Sequence, residues 1–355
     1  MLKKLFVQNL RCISKLELIP KKGINIIVGD NGSGKTTLLE SIQIIFRGKS
    51  FRHKEIAPLI KDQEEELLLT AIFEGTSDKK THQIGVKKSK SQTEVHLDGD
   101  KKPKRSEVMS LLPIQWIGPE PQNLITGNPA SRRSFLDNGL FHVERNYLPT
   151  LQSYNRALNQ RNAALKTDPA NANAWDQQLN QFANEINELR SEYFNKLQAQ
   201  VNRHLSKWEI DINVDLSYEK GWPRNQELID CLSETLSLDL KRQFTGYGPH
   251  KADLVINSAK HKSGNKLSRG QLKMVATAFH FSQSKITENK SNKKEILLYD
   301  DISAELDKKN RAILFNYIYK NFDQTFITTL STSDISLDAN TVALFHVEHG
   351  KLQQN

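Results

Sequence analysis

The chain has 355 residues, is 37% hydrophobic and carries a formal net charge of +9. Its two cysteines, Cys12 and Cys231, cannot build a disulfide framework, and no run of about 18 apolar residues marks a membrane helix. A disulfide-stapled secreted domain and a membrane-spanning protein are thereby excluded, and a cytoplasmic protein with an anionic partner is expected. The lysines and apolar pair near Met1 mimic a secretion signal. Gln8, Asn9 and Arg11, however, interrupt the run short of the roughly 7–15 apolar residues such a signal needs.

Taken in order, Leu5 to Leu10 and Ile13 to Leu18 alternate as two short strands flanking Arg11, and Ile24 to Val28 reads as a buried third strand. Next comes Gly29-Asp30-Asn31-Gly32-Ser33-Gly34-Lys35-Thr36, followed by a helical pattern from Thr37. Strand, G-x-x-x-x-G-K-[ST] loop and helix together define a P-loop. Its glycines let backbone N–H groups curl around phosphate oxygens, and the helix N-terminus adds partial positive charge. Lys35 can reach the β- and γ-phosphates, and the Thr36 hydroxyl can ligate Mg²⁺. The basic turn Arg47 to Arg52 is either a solvated helix end or a contact to nucleotide or DNA. Leu67 to Phe73, His82 to Lys87 and Thr93 to Leu97 read as strands of an antiparallel sheet beside the nucleotide-binding one. Their lysine-rich connections, Lys79, Lys80, Lys87, Lys88, Lys90, Lys101, Lys102, Lys104 and Arg105, form either a solvated face or a phosphate-tracking surface.

Residues 113–129 are rich in Pro, Gly and Asn and mark a junction. Beyond it, Tyr147, Leu151, Tyr154 and Leu158 keep helical spacing. After Thr167 to Asn171 the pattern resumes with Trp175, Leu179, Phe182, Ile186, Leu189 and Tyr193, and continues through Leu197 and Val201 toward Leu205 and Trp208. This predicts a short antiparallel helical arm. Asp211 to Leu216 reads as a strand, Gln226 to Phe244 as a helix, Leu254 to Asn257 as a strand and Met274 to Ser282 as a helix. Glu295-Ile296-Leu297-Leu298-Tyr299-Asp300-Asp301 is a continuous apolar strand ending in two carboxylates, as a central parallel strand would be. Asp300 is placed to hold Mg²⁺, and Asp301 to reach toward the water that attacks the γ-phosphate.

Leu267-Ser268-Arg269-Gly270-Gln271-Leu272-Lys273, lying between the P-loop and Asp300-Asp301, resembles the ABC ATPase signature, and Ala304-Glu305-Leu306-Asp307 resembles the following D-loop. Three family-specific segments narrow the resemblance further: Gly127 to Asp137, Gln160-Arg161-Asn162-Ala163-Ala164-Leu165-Lys166, and Gly248-Pro249-His250-Lys251-Ala252-Asp253-Leu254. Over essentially its full length the chain resembles the RecF family of bacterial DNA replication and repair ATPases. The resemblance implies an α/β fold, an ABC-type P-loop head with a mixed sheet and a flanking antiparallel sheet, plus an inserted helical lobe with its arm. The expected lobes are 1–116 with 285–355, and 117–284.

It further implies ATP-driven homodimerisation on double-stranded and gapped DNA, where RecO and RecR help load RecA in repair and the SOS response, and slow ATP hydrolysis that resets the dimer. Lys35, Asp300, Asp301 and Ser268 are the expected catalytic residues. Nucleotide is expected at Arg11, Gly29, Asp30, Asn31, Gly32, Ser33, Gly34, Lys35, Thr36, Thr37, Gln115, Ser268, Gly270 and Gln271, and Mg²⁺ at Thr36 and Asp300. Transporter-type ATPases usually carry Asp-Glu where this chain has Asp300-Asp301, and a switch histidine that Phe326 to Thr332 lacks. Two competing readings are a DNA-binding scaffold with a vestigial ATPase and the nucleotide-binding subunit of a transporter.

Overall fold

Period-two alternation dominates the first hundred residues, and in the computed structural model, which describes residues 1–51, 57–76, 78–261, 266–292, 294–331 and 342–354, most of it folds as strands. In chain order the elements are β1 (Leu2–Leu10), β2 (Ile13–Leu18), β3 (Gly23–Val28), α1 (Lys35–Arg47), β4 (Glu66–Glu74), β5 (Thr81–Ser89), β6 (Thr93–Leu97), α2 (Arg105–Leu111) and β7 (Ile114–Ile117). The middle of the chain supplies α3 (Asn123–Thr126), α4 (Pro129–Val143), α5 (Tyr147–Thr167), α6 (Asp176–Lys207), β8 (Ile212–Glu219), α7 (Leu228–Glu234), α8 (Leu236–Arg242), β9 (Asp253–His261) and α9 (Arg269–Ser291). The last segment adds β10 (Ile296–Tyr299), α10 (Lys308–Asn321), β11 (Gln324–Thr329), β12 (Val342–Glu348) and β13 (Lys351–Gln354).

Two compact units result, Met1–Pro121 with Asn292–Asn355, and Gln122–Ser291. Their joints lie beyond 116 and 284 because β7 runs to Ile117 and α9 continues unbroken to Ser291. In the first unit, five antiparallel strands follow the order β2-β1-β4-β5-β6, and a six-stranded sheet follows β13-β12-β3-β11-β10-β7. In the second sheet β12, β3, β11, β10 and β7 run parallel and only β13 is antiparallel. Buried residues of α1, Leu38, Leu39, Ile42 and Ile45, join one hydrophobic core with both sheets. The helix starts after Gly34 and stops at Gly48, both in left-handed backbone that a Cβ would strain. Part of the junction at 113–129 is β7: flanking Pro113 and Gly118 hide a four-residue strand beside β10.

In the second unit α5 and α6 pack together, and the arm's stripe of Leu179, Ile186, Tyr193, Leu197, Val201, Leu205 and Trp208 is buried. Gln226 to Phe244 is not one helix. It breaks at Thr235, whose hydroxyl bonds the Cys231 carbonyl at 2.7 Å and whose backbone closes α7 while opening α8.

Two imidazoles in this unit are kept neutral by their surroundings. His250 Nε2 faces the Thr245 carbonyl at 3.0 Å, so it carries the proton, and Nδ1 accepts from the Tyr154 hydroxyl at 2.6 Å. His204 Nδ1 lies 2.9 Å from the Ser282 hydroxyl, whose own proton goes to the Ala278 carbonyl. Burial brings both groups from the ordinary 6.5 down to about 4. The unfolded chain therefore binds protons that the folded chain refuses, so this contribution is complete above pH 6.5 and is lost as pH falls toward 4. Urea midpoints followed by helical circular dichroism should fall through that window. A His204→Gln, His250→Gln double variant should lose at least about 1 kcal/mol less than the wild type between pH 7 and pH 5. Equal losses in the two proteins would contradict the assignment.

Candidate nucleotide site

The P-loop leaves β3 and enters α1, so its phosphate-facing backbone sits at the carboxyl end of the parallel sheet. Gly32 and Gly34 have φ of +80° and +115°, the left-handed backbone the curl requires. Gly29 is fixed by crowding instead, since a Cβ there would lie 2.2 Å from the Val347 carbonyl oxygen of β12. The hairpin turn after β12 also braces the loop, with Gly350 N–H donating to the Ser33 carbonyl at 2.8 Å. Lys35 Nζ donates to the carbonyls of Gly29 at 2.6 Å and Asp30 at 2.8 Å, folding over the loop it belongs to. Partial burial pushes this ammonium below its ordinary value, while Asp301, Asp300 and Asp30 oppose the shift.

Thr36, Asp300 and Asp301 converge although Thr36 and Asp300 are 264 positions apart. The Thr36 hydroxyl donates to Asp300 Oδ1 at 3.0 Å, and the Thr328 hydroxyl of β11 donates to the same oxygen at 2.6 Å. Thr328 Oγ1 also accepts from the Asp301 backbone N–H at 2.7 Å. The carboxylate oxygen accepts, so the single Thr328 hydroxyl proton goes to Asp300 while a lone pair of the same oxygen takes the Asp301 N–H. Asp301 itself stands in left-handed backbone, φ +52°, at the mouth of the site. The all-oxygen pair Thr36 and Asp300 suits a hard cation that keeps phosphate oxygens and water as its other ligands. Among the described residues no three His, Cys, Asp or Glu side chains gather to hold a metal, so such an ion would rest on this pair and a bound phosphate.

A cavity of about 390 Å³ opens here, lined by Arg11, Asn31, Gly32, Gly34, Lys35, Thr36, Thr37, Asp300 and Asp301. Gly29, Asp30 and Ser33, expected as nucleotide contacts, belong to the loop but do not line the cavity. Cys12, Pro119, Thr328 and Leu330 also line it, and sequence reasoning did not assign them to the site. A hydroxyl two residues inside β11 carries no motif, so only the pairing of β10 with β11 exposes the role of Thr328. A larger hollow of about 760 Å³ over β4, β5 and β6 has no phosphate-binding backbone and is not this site.

Arg11 lines the cavity, but its guanidinium is held by Glu40 of α1, with Nε at 2.7 Å and Nη2 at 3.2 Å. Gln115 does not line the cavity. It is buried in the middle of β7 opposite Leu297, while the loop after that strand brings Pro119 to the site instead. The basic turn is structural at Arg47, whose guanidinium bonds the Ile114 carbonyl at 2.5 Å, and Arg52 lies outside the described residues. Lys88 is buried and leans toward the Gly48 carbonyl at 3.4 Å, so it belongs to no solvated or phosphate-tracking face.

Ser268, Gly270 and Gln271 lie in the second unit at the start of α9. Gln271 N–H donates to Ser268 Oγ at 3.3 Å and Ser268 N–H to Gln271 Oε1 at 2.8 Å, a reciprocal capping box. The signature thus builds a helix N-terminus with an exposed serine. The D-loop stretch carries Glu305 at φ +65° and ends in Asp307, which caps α10 by accepting from Asn310 N–H at 2.8 Å.

A parallel sheet with a P-loop, a strand-end Asp-Asp and an antiparallel flank defines a nucleotide-binding head of the ABC and SMC class. Family comparison agrees and is narrower. The profile of the RecF/RecN/SMC N-terminal domain matches residues 1–353. The DNA replication and repair protein RecF of Pseudoalteromonas translucida (strain TAC 125) is 35% identical, with 99% of each chain covered. That of Shewanella sediminis (strain HAW-EB3) is 35% identical over 99% of this chain and 98% of the relative. The chain belongs to the RecF family. A structure of the recombination mediator protein RecF with ATP, from the RecFOR pathway, superposes with a TM-score of 0.88 at 26% identity, covering 100% of this chain and 97% of the other. An SMC head bound to the C-winged helix domain of ScpA, at 18% identity and a TM-score of 0.59, shares the fold. No helix among the described residues is long and apolar enough to cross a membrane.

Cys12 is exposed at the cavity and Cys231 is buried, so N-ethylmaleimide should label Cys12 first, and ATP should slow that labelling about tenfold at 10 Kd. Unchanged labelling would place the nucleotide elsewhere. Thr328→Val keeps the shape but removes both hydrogen bonds. It should reduce the thermal stabilisation given by ATP with magnesium by about 1–2 kcal/mol, and Thr328→Ser should retain it. Full stabilisation in the valine variant would deny Thr328 its positioning role.

Proposed function

We propose that the protein is an ATP-dependent DNA-binding protein of recombinational repair and replication-fork maintenance. The observation that carries the reading is the meeting of Thr36, Asp300 and Asp301 at the foot of a P-loop, in a chain that matches RecF proteins from end to end. Lys35 and the loop backbone hold the β- and γ-phosphates, and Thr36 and Asp300 hold Mg²⁺, which neutralises phosphate charge. Asp301 orients the attacking water. Its side chain is one methylene shorter than the glutamate usual in transporters, which favours slow turnover.

Ser268 and the start of α9 suit an anion, because a capped helix N-terminus directs N–H groups outward. In this reading they meet the γ-phosphate bound by a second copy, so ATP closes a homodimer on double-stranded or gapped DNA. Hydrolysis reopens it. RecO and RecR are the proposed partners, with RecA loaded through them at single-strand/double-strand junctions and during the SOS response. The cytoplasm is the proposed location. A scaffold that uses ATP for assembly alone differs from this reading only in whether Asp301 acts.

Sedimentation with a fluorescent gapped duplex tests both readings. Dimerisation and tight DNA binding should require ATP, fail with ADP, and fail in Lys35→Ala. Asp301→Asn should bind ATP and stay dimeric at least tenfold longer than the wild type. DNA binding indifferent to nucleotide would leave a basic scaffold, and a variant that dissociates at the wild-type rate would remove Asp301 from the mechanism.

A further inference from the structure

Two segments singled out in the sequence, around Arg161 and around His250, belong to the second unit and take no part in the P-loop site. They converge on one short turn after α8. Thr245 donates from its backbone N–H and its hydroxyl to Asn162 Oδ1, both at 2.8 Å, while that hydroxyl accepts from Arg161 Nη1 at 2.9 Å. Its carbonyl accepts from His250 at 3.0 Å. The Gly246 N–H donates to Asp239 Oδ1 at 3.0 Å. Arg161, fully buried, bridges Asp239 at 2.7 Å and Asp176 at 2.6 Å. Buried ion pairs of this kind add little net stability over an apolar core, and their clearest effect is to fix geometry. What they fix here is the backbone at 245–246.

The outer side of that turn is cationic and aromatic. Gln243 takes left-handed backbone, φ +59°, ending α8 and turning Phe244 outward, where it is 42% exposed. Lys251 Nζ stands 5.1 Å from the centre of the Phe244 ring. Lys241 and Arg242, in the last turn of α8, are exposed, as is Lys251, and none of the three forms an ion pair among the described residues. An exposed ring with one ammonium over it and two more exposed cations two and three residues before it in the chain offers the two things single-stranded nucleic acid requires, a π-face for a base and positive charge for the neighbouring phosphates. Rigid display reduces the ordering cost of binding. A continuous duplex offers the ring no free base face, because its bases already stack on one another.

We propose that Phe244 stacks on an unpaired DNA base, with Lys241, Arg242 and Lys251 contacting the neighbouring phosphates. The assignment rests on the DNA-binding function proposed for the chain and adds to it a single-strand contact in the helical unit.

The test uses the full chain with ATP, a fluorescein-labelled 20-nucleotide oligothymidylate, and a blunt 20-base-pair duplex, each titrated at several salt concentrations. Phe244→Ala should weaken oligothymidylate binding about fivefold or more, with an unchanged salt slope and blunt-duplex affinity within about twofold. Phe244→Trp should restore binding. An Arg242→Gln, Lys251→Gln double variant should flatten the salt slope by one to two counterions, at about 0.7 for each phosphate left without its cation. Wild-type oligothymidylate affinity in Phe244→Ala would overturn the proposal, as would a Phe244→Trp variant no better than alanine. Wild-type protein that binds the duplex but not the oligothymidylate would overturn it while leaving the DNA-binding function intact. Binding to neither probe would reject both.

Discussion

One carboxylate oxygen, Oδ1 of Asp300, ties the head of this protein together. It receives the Thr36 hydroxyl from the P-loop helix and the Thr328 hydroxyl from β11, while Thr328 also holds the Asp301 backbone. Asp300 is 3% exposed and Thr328 is fully buried, so these bonds are made where water competes poorly. The strands and helix that bear these residues are thereby held together at the mouth of the P-loop cavity. Whatever enters between Thr36 and Asp300 must exchange their mutual hydrogen bond for its own ligands.

The polar groups of the helical unit serve geometry in a similar way. Arg190 is buried against Asp137, the Tyr147 hydroxyl and the Pro249 carbonyl, and Arg161 against Asp176, Asp239 and Thr245. Both lie on the long helices of the arm, and both reach across to loops that precede β9. Apolar side chains could fill the same volume, but they would not specify the path of a loop rich in glycine, Gly246-Tyr247-Gly248. The segments Gln160 to Lys166 and Gly248 to Leu254 therefore have a common structural cause, since Arg161, Asn162 and His250 all bond Thr245 between them.

Legibility varied with the range of the interactions involved. The P-loop, β1 to β6 and the arm stripe were readable because each is set by neighbours a few residues away. Gln226 to Phe244 misled because a threonine bond to the preceding turn breaks a helix whose apolar spacing runs on. β7 was masked by its flanking proline and glycine, and Gln115, expected at the nucleotide, is a buried strand residue instead. Lys88 read as one lysine of a basic run, yet its strand alternation turns it inward. Each case is a tertiary override of a local signal.

Residue types and short spacings were enough to read a P-loop, a strand ending in two carboxylates and a serine–glutamine helix start. These depend on residue type and short spacing, which a linear chain displays directly. Only the tertiary structure decided the partners, among them Thr328 beneath Asp300, the Val347 carbonyl that makes Gly29 obligatory, the Glu40 clamp on Arg11, and the Arg161 anchor behind the Phe244 turn. Those contacts join residues far apart in the chain, and their hydroxyls, carbonyls and ion pairs have no fixed spacing to announce them. In the head this follows from the sheet, because parallel strands must be joined by long connections, so neighbours such as β10 and β11 are distant in the sequence.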